Sequence, residues 1–296
     1  MATRYTHAMA VERVVYNGWR DALRLSSGVV EAIVVPSVGR LMRFGFVGGP
    51  NLLWENKTVA GKPIPLGEWA NTGGDKVWVW PQDDWPNRMP NAWPPPAALD
   101  QAPHQAEILG GYGVMLTSSL VIGWGVRCQR ALVLDKKSQT LVMTSFFRKE
   151  RDGADFPVAP WTVTQVNAAP TVWVRKRDGS LHTHARDPKN STKVFFDADI
   201  LAHVQGDTLL SVRAATAPDN AGATYASPTD RAQIYCSADD PWFGQNGMPS
   251  YTELELTAPL KTLKRGETIS LITALTLDKL DPKRPLEPQI AGKIAP

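Results

Sequence analysis

The chain has 296 residues, of which 43% are hydrophobic and 21% are charged, a composition that excludes intrinsic disorder. Its 32 basic and 29 acidic residues are interspersed and leave a formal net charge of +3, so nucleic acid is not an expected partner. The length suits one β domain over residues 1–296, with a core over about 11–280 and a loose C-terminal tail over 281–296.

Membrane and export signals are missing from the printed sequence. No stretch reaches the roughly 20 apolar residues of a membrane helix, and the first ten residues, MATRYTHAMA, lack the apolar segment of a signal peptide. We therefore expect no membrane partner and a cytoplasmic protein, or a periplasmic one if an export signal was removed. Cys128 and Cys236 lack metal-binding spacing and predict buried free thiols, with one disulfide as the alternative. The oligomeric state is left open.

Strand-like runs of alternating or β-branched residues occur along the whole chain, separated by Gly, Pro, Asn and Asp. They cover 22–27, 29–35, 76–80, 113–122, 130–134, 140–147, 161–166, 171–176, 208–214, 232–237, 251–256 and 268–277. No window holds a helical period over three turns. The pattern predicts an all-β protein, a large antiparallel sandwich with few short helices.

One segment, from Asn51 to Gln105, differs from the rest in its tryptophan and proline content. Six of the eleven tryptophans lie in it, at positions 54, 69, 78, 80, 85 and 93. A long aromatic loop is costly to expose, so the segment should cover a core or form a binding surface.

The run TGGDKVWVWPQDDW, at 72–85, is the most distinctive part of this segment. In a strand, the period of two places Lys76, Trp78 and Trp80 on one face and the intervening valines on the other. The side chains that follow are Gln82, Asp83, Asp84 and Trp85. Aromatic rings stack on sugars while carboxylates and amides bond their hydroxyls, which favours a carbohydrate site. The alternative is that the tryptophans cap the sandwich edge.

The late run YTELEL contains two glutamates, Glu253 and Glu255, that share a strand face when Leu254 and Leu256 point inward. Two aligned carboxylates could bind a polyol, or one could have a raised pKa and act as a general base. Paired glutamates on a solvated strand face are the alternative.

Two further segments could contribute to a site. In APWTVTQV, Trp161, Val163 and Gln165 share a face, offering stacking and hydrogen bonds, although an ordinary strand also explains them. Arg40 follows Gly39 in an apolar run and should meet either a ligand or a carboxylate. The pair His182 and His184 lacks an evident third metal ligand, so neither a metal nor a cofactor is predicted.

These segments together resemble the galactose-mutarotase-like superfamily, and within it the DUF4380 family. The resemblance runs from about Tyr16 to Leu277 and depends on the order of Gly39–Arg40, NLLWEN, GGDKVWVWPQDDW, APWTVTQV and YTELELTAPLKTLKRGE. It implies a β-supersandwich whose concave sheet binds sugar, as in aldose 1-epimerases, hexose-6-phosphate mutarotases and domains of glycoside hydrolases and polysaccharide lyases.

The resemblance also implies a catalytic glutamate on the late strand, at Glu253 or Glu255. The catalytic histidine of the mutarotases is replaced by the segment around Trp161 and Gln165. Ring opening needs an acid for the ring oxygen and a base for the anomeric hydroxyl, so Lys76 or another group would have to replace the histidine.

The prediction is therefore a protein that binds a small sugar or an oligosaccharide, with acid–base chemistry such as epimerisation or β-elimination. The predicted catalytic residues are Glu253, Glu255 and Lys76. The predicted substrate-binding residues are Arg40, Trp78, Trp80, Gln82, Asp83, Asp84, Trp85, Trp161 and Gln165. The alternatives are a non-catalytic module that binds carbohydrate or a partner, and a binder of a non-sugar ring compound.

Overall fold

Strands dominate the computed structural model, which describes residues 11–65, 67–135, 137–152, 156–215, 217–239 and 249–295. Within these ranges every strand pair is antiparallel. The described helices are all too short or too polar to cross a membrane. The predicted all-β sandwich is confirmed.

One sheet has ten strands in the described part of the chain. They are β1 (Val11–Tyr16), β2 (Trp19–Ser26), β3 (Val30–Val35), β4 (Arg40–Phe46), β5 (Asp75–Trp80), β10 (Pro157–Asn167), β13 (Thr192–Phe196), β16 (Ala232–Cys236), β17 (Tyr251–Thr257) and β18 (Lys261–Thr262). Their spatial order is β1-β2-β3-β4-β5-β10-β17-β16-β13, with β18 paired to β10. Residues far apart in sequence therefore meet at the centre of this sheet.

The second sheet has nine strands among the described residues. They are β6 (Gln105–Leu109), β7 (Gly113–Val121), β8 (Val126–Leu134), β9 (Thr140–Lys149), β11 (Thr171–Lys176), β12 (Leu181–Ala185), β14 (Ala198–Gln205), β15 (Thr208–Ala215) and β19 (Thr268–Lys279). Their order is β12-β11-β14-β15-β19-β9-β8-β7-β6.

The core lies between the two sheets, where apolar residues of alternating positions face each other. Val77, Val79, Leu254 and Leu256 of the first sheet belong to one buried cluster with residues of the second sheet. Asp75 of β5 also points this way, because it forms a buried ion pair with Arg130 of β8. Cys128 and Cys236 are free and buried, as expected.

The C-terminal tail was expected to be loose, and this expectation is wrong. Residues Leu286–Lys293 form a helix, α2, whose Ile290 is fully buried against the second sheet in a cluster with Trp173 and Ile200. Arg175 of β11 also donates hydrogen bonds to backbone carbonyls of this terminal segment. The remaining described helices are α1 (Ala97–Asp100) and short 3-10 helices at Pro36–Val38, Gln82–Asn87, Pro218–Asn220 and Pro228–Arg231.

Two glycines precede β5 and bring it close to the neighbouring chain. Gly73 and Gly74 have φ values of 96° and 74°, in the left-handed region that other residues rarely adopt. A side chain at Gly74 would collide with the carbonyl oxygen of Leu41 on β4, and one at Gly73 would collide with that of Trp54. The turn therefore sets where β5 enters the sheet.

Strand register places the candidate residues on one face of the first sheet. The central strand β10 pairs Trp161 with Trp78 of β5, and Gln165 with Glu253 of β17. Directly opposed residues in antiparallel strands point to the same side. This side is opposite to the core, and it carries the polar and aromatic groups.

Candidate functional site

A cavity of about 260 Å³ lies over this second face of the ten-stranded sheet. Strands β5, β10, β13, β16 and β17 form its floor, and the segment from Asn51 to Gln105 covers part of it. Its lining residues are Trp69, Asn71, Lys76, Trp78, Gln82, Trp93, Trp161, Gln165, Lys193, Tyr235, Tyr251 and Glu253.

A charged network forms the floor of the cavity. The Lys76 ammonium lies 3.4 Å from Glu253 Oε1, and the Gln165 amide donates to the same oxygen at 2.9 Å. Only 2% of the Lys76 side chain and 10% of the Glu253 side chain are exposed. Burial lowers the pKa of Lys76, and the nearby Glu253 carboxylate partly offsets that effect. A buried ammonium and a nearly buried carboxylate are thus in contact in the cavity floor.

Two buried acceptors beside this network have no hydrogen-bond partner among the described residues. They are Gln165 Oε1 and Asn71 Oδ1, and both residues line the cavity. An unpaired buried carbonyl is costly, so it normally has a protein, water or ligand partner. Each of the two oxygens therefore keeps an unused capacity to accept a hydrogen bond.

The walls of the cavity are aromatic. Trp78 packs edge-to-face against Trp161, with ring centroids 5.3 Å apart, and against Trp93, at 5.8 Å. Trp69 meets Trp93 in the same way at 5.0 Å. Trp93 is 45% exposed, which makes it the rim of the cluster. Such rings offer faces on which the C–H surface of a sugar can stack.

Glu255 lies under this aromatic wall rather than in the cavity. It is fully buried, and its Oε2 accepts hydrogen bonds from Trp161 Nε1 at 2.8 Å and Lys193 Nζ at 3.1 Å. Burial raises the pKa of Glu255 to about 7; Lys193 opposes the rise and the neighbouring Glu253 adds to it. Glu253, and not Glu255, is therefore the glutamate that lines the cavity.

Six of the predicted site residues line the cavity: Lys76, Trp78, Gln82, Trp161, Gln165 and Glu253. The structure thus brings together residues of three strands that are far apart in sequence. Their individual roles in binding or catalysis stay predictions.

The other predicted site residues lie elsewhere in the described structure. Trp85 is fully buried and donates to the carbonyl of Val79, so it cannot stack on a ligand. Asp84 pairs with Arg88, while Asp83 is exposed outside the lining. Trp80 is half-buried, packs edge-to-face against Trp161 with ring centroids 5.6 Å apart, and lies outside the lining.

Arg40 also lies outside the lining. Its guanidinium group is fully buried and forms an ion pair with Asp100 at 2.7 Å, so the carboxylate alternative was the correct one. The expectation that Arg40 bonds a ligand directly is wrong for this arrangement.

Sequence reasoning missed the other lining residues: Trp69, Asn71, Trp93, Lys193, Tyr235 and Tyr251. Trp69 and Trp93 lie in the segment that the sequence marked as a cover or binding surface. Lys193 and Tyr235 are paired across β13 and β16, and no local pattern indicates that these strands complete the floor. Lys193 places its ammonium 4.5 Å above the Trp161 ring.

The histidine pair lies away from this site. His182 and His184 are on β12, the edge strand of the nine-stranded sheet. Among the described residues, His, Cys, Asp and Glu side chains form no group of three that could hold a metal ion.

Comparison with solved structures establishes the fold class. A galactose mutarotase related enzyme from Lactobacillus acidophilus is similar over 90% of this chain and 100% of its own, with a TM-score of 0.54 and 8% identity. YeaD from Salmonella typhimurium is similar over 92% of this chain and 97% of its own, with a TM-score of 0.53 and 11% identity. The chain therefore has a galactose-mutarotase-like fold. No family model matches its sequence, and no curated protein does either.

Proposed function

We propose that the cavity binds one sugar ring and that Glu253 and Lys76 carry out acid–base chemistry at its anomeric centre. The observation that carries the proposal is that two residues lining an aromatic cavity, Gln165 and Asn71, each have a buried amide oxygen without a hydrogen-bond partner among the described residues. A sugar supplies both hydroxyl donors for these oxygens and C–H faces for the rings.

The size of the cavity favours a single ring. Its volume of about 260 Å³ is at the small end of ligand pockets, which usually span roughly 300–1,000 Å³. We therefore infer that a monosaccharide, or the terminal residue of a longer sugar, is the ligand. A fold shared with a galactose mutarotase related enzyme also supports a sugar ligand. Membership of the DUF4380 family stays a prediction.

The proposed reaction interconverts the two anomers. The Glu253 carboxylate takes the proton of the anomeric hydroxyl, the bond between the anomeric carbon and the ring oxygen breaks, and the Lys76 ammonium protonates that oxygen. The open-chain aldehyde then turns and closes on its other face, and both protons return. Lys76 thus replaces the histidine that the mutarotases use, and its 3.4 Å contact with Glu253 places acid beside base.

A non-catalytic sugar-binding protein is the second candidate. One observation favours it: Lys76 and Gln165 both engage Glu253 Oε1, and hydrogen bonds to a carboxylate make it a weaker base. In that case the network only orients a ligand. Bound sugar then stays chemically unchanged in the wild-type protein and in Glu253→Gln alike.

Calorimetry and NMR separate these functions. We would titrate the protein with D-glucose, D-galactose, D-mannose, D-xylose and D-glucuronate, with catechol as a non-sugar ring, and follow anomer exchange of each sugar by NMR. Catalysis predicts exchange that falls by about 100-fold or more in Glu253→Gln, the contribution of one general base. Glu150→Gln, at an exposed ion pair of the other sheet, serves as the control.

The outcomes are distinct. Sugar binding without faster exchange supports the non-catalytic candidate and rejects the acid–base step. Binding of catechol but of none of the sugars rejects the sugar ligand itself.

A further inference from the structure

We infer that Asp100 is a positioning residue that fixes the orientation of two tryptophan rings in the cavity wall. Asp100 ends helix α1 and is fully buried behind that wall. The importance of this orientation for sugar binding rests on the proposed function.

The carboxylate of Asp100 accepts hydrogen bonds from two indoles that line the cavity. Trp78 Nε1 donates to Oδ1 at 2.7 Å, and Trp69 Nε1 donates to Oδ2 at 2.8 Å. Trp78 belongs to strand β5, whereas Trp69 lies in the covering segment outside any strand. One carboxylate therefore links strand β5 to the segment that covers the cavity.

Arg40 compensates the buried charge. Its Nη2 donates to Asp100 Oδ1 and to the backbone carbonyl of Asp100, at 2.7 and 2.8 Å, and its Nη1 donates to the carbonyl of Gly73 at 2.7 Å. Every oxygen of the carboxylate is thus occupied. A buried ion pair often stabilises a fold no better than packed apolar residues do, so stability alone does not account for this one. The need for directional hydrogen-bond acceptors for two indoles does account for the ion pair.

The orientation of Trp69 and Trp78 affects the whole wall. Trp93 packs edge-to-face against both rings, at centroid distances of 5.0 and 5.8 Å, so a turn of either ring displaces it. A similar arrangement fixes Trp161, another ring of the wall, because the buried Glu255 accepts a hydrogen bond from Trp161 Nε1. A satisfied buried hydrogen bond restricts the orientation of an indole ring, and here buried carboxylates accept the Nε1–H groups of three cavity-lining tryptophans.

Indole N–H resonances test the hydrogen bonds without any ligand. In Asp100→Asn, the side chain keeps one acceptor and gains a donor, so the cross-peaks of Trp69 and Trp78 should shift in a ¹H–¹⁵N spectrum. Trp69→Phe and Trp78→Phe each remove one cross-peak and so assign them. Glu31→Gln is the matched control. Glu31 is a buried carboxylate on β3 that pairs with Arg24 and Arg43 and lies outside the cavity lining.

Affinity tests the positioning role. With the sugar of the panel that binds the wild-type protein, Asp100→Asn should weaken binding about tenfold, the effect of a lost buried hydrogen bond, while Glu31→Gln should change it by about twofold or less. Trp69→Phe should weaken binding less in the Asp100→Asn background than in the wild type, since coupled residues are not additive. Should Asp100→Asn not fold, Asp100→Glu keeps the charge, displaces the carboxylate, and should shift the same two cross-peaks.

Two results would overturn the inference: unmoved indole cross-peaks in the Asp100 variants, or an affinity loss no larger than that of Glu31→Gln. If none of the sugars binds the wild-type protein, the proposed function fails, and the cross-peaks still decide whether Asp100 orients the rings.

Discussion

The two sheets differ in the exposure of the face that points away from the core. In the nine-stranded sheet, β8 alternates strictly between buried and half-exposed residues, so one face meets the core and the other meets solvent. In the ten-stranded sheet, β10 and β17 are buried on both faces over nearly their whole length. The second face of these strands nevertheless carries charged and polar groups, Gln165, Glu253 and Glu255.

This difference separates ordinary surface from candidate site. Polar residues on a half-exposed face, such as Arg127 and Gln129 of β8, keep access to water and do not depend on a protein partner. Polar residues on a covered face have lost water and must be paired or must meet a ligand. Lys76 and Glu253 are paired, while Gln165 Oε1 has no hydrogen-bond donor among the described residues.

The largest expected effect on stability comes from breaking the ion pair of the covered face. Lys76→Met keeps the length of the side chain and leaves Glu253 as a buried charge without its cation. We expect the free energy of unfolding to fall by about 3 kcal/mol, as for other buried pairs that lose one partner. Urea denaturation at pH 7 measures it; a loss below about 1 kcal/mol would show that Glu253 is effectively solvated.

An intermediate effect is expected from Glu255, whose protonation makes the free energy of unfolding depend on pH. Burial raises its pKa from the ordinary 4.5 to about 7, so the folded protein holds this proton more tightly than the unfolded chain does. Stability from this group is complete below about pH 4.5 and is lost as pH rises through 7, by about 2 to 3 kcal/mol between pH 5 and 8. In Glu255→Gln the decline should be smaller by that amount.

Unfolding free energies of the wild type and Glu255→Gln at pH 5 and 8 give this difference. Identical pH dependence in the two proteins would mean that Lys193 keeps Glu255 ionised throughout, and that the hydrogen bond to Trp161 is accepted by a carboxylate.

The smallest effect is expected on the solvent-facing sheet. Arg127 and Glu150 form an ion pair of 2.8 Å, but their side chains are 35% and 33% exposed. Arg127→Ala should lower the free energy of unfolding by about 1 kcal/mol or less, because water and salt screen such pairs. Thermal unfolding in low and high salt provides the measurement. A loss as large as that of Lys76→Met would remove the distinction between the two faces.

Much of the fold could be predicted because the signals are local. Alternation along VEAIVV, KVWVW and YTELEL identified strands that the structure contains, at 30–35, 75–80 and 251–257. The C-terminal helix could not be found in this way, because its proline-rich, weakly amphipathic sequence becomes helical by docking Ile290 on the second sheet.

The candidate site was only partly predictable. Alternation correctly placed Glu253 and Glu255 on one face but gave no means of choosing between them. Trp78 and Trp85 lie in the same tryptophan-rich segment. Trp85 is nevertheless fully buried away from the cavity, whereas Trp78 lines it. Choosing between such residues requires knowing what covers each one.

The sequence by itself determined the faces of the strands, since side-chain direction in a strand follows from its period of two. It thereby determined that Lys76 and Trp78 share one side of β5, away from the core. Only the tertiary structure decided that this side meets Glu253, Lys193 and Asp100, with contacting residues 22 to 177 positions apart along the chain. Register between strands distant in sequence is set by packing of the whole molecule, and no local pattern records it.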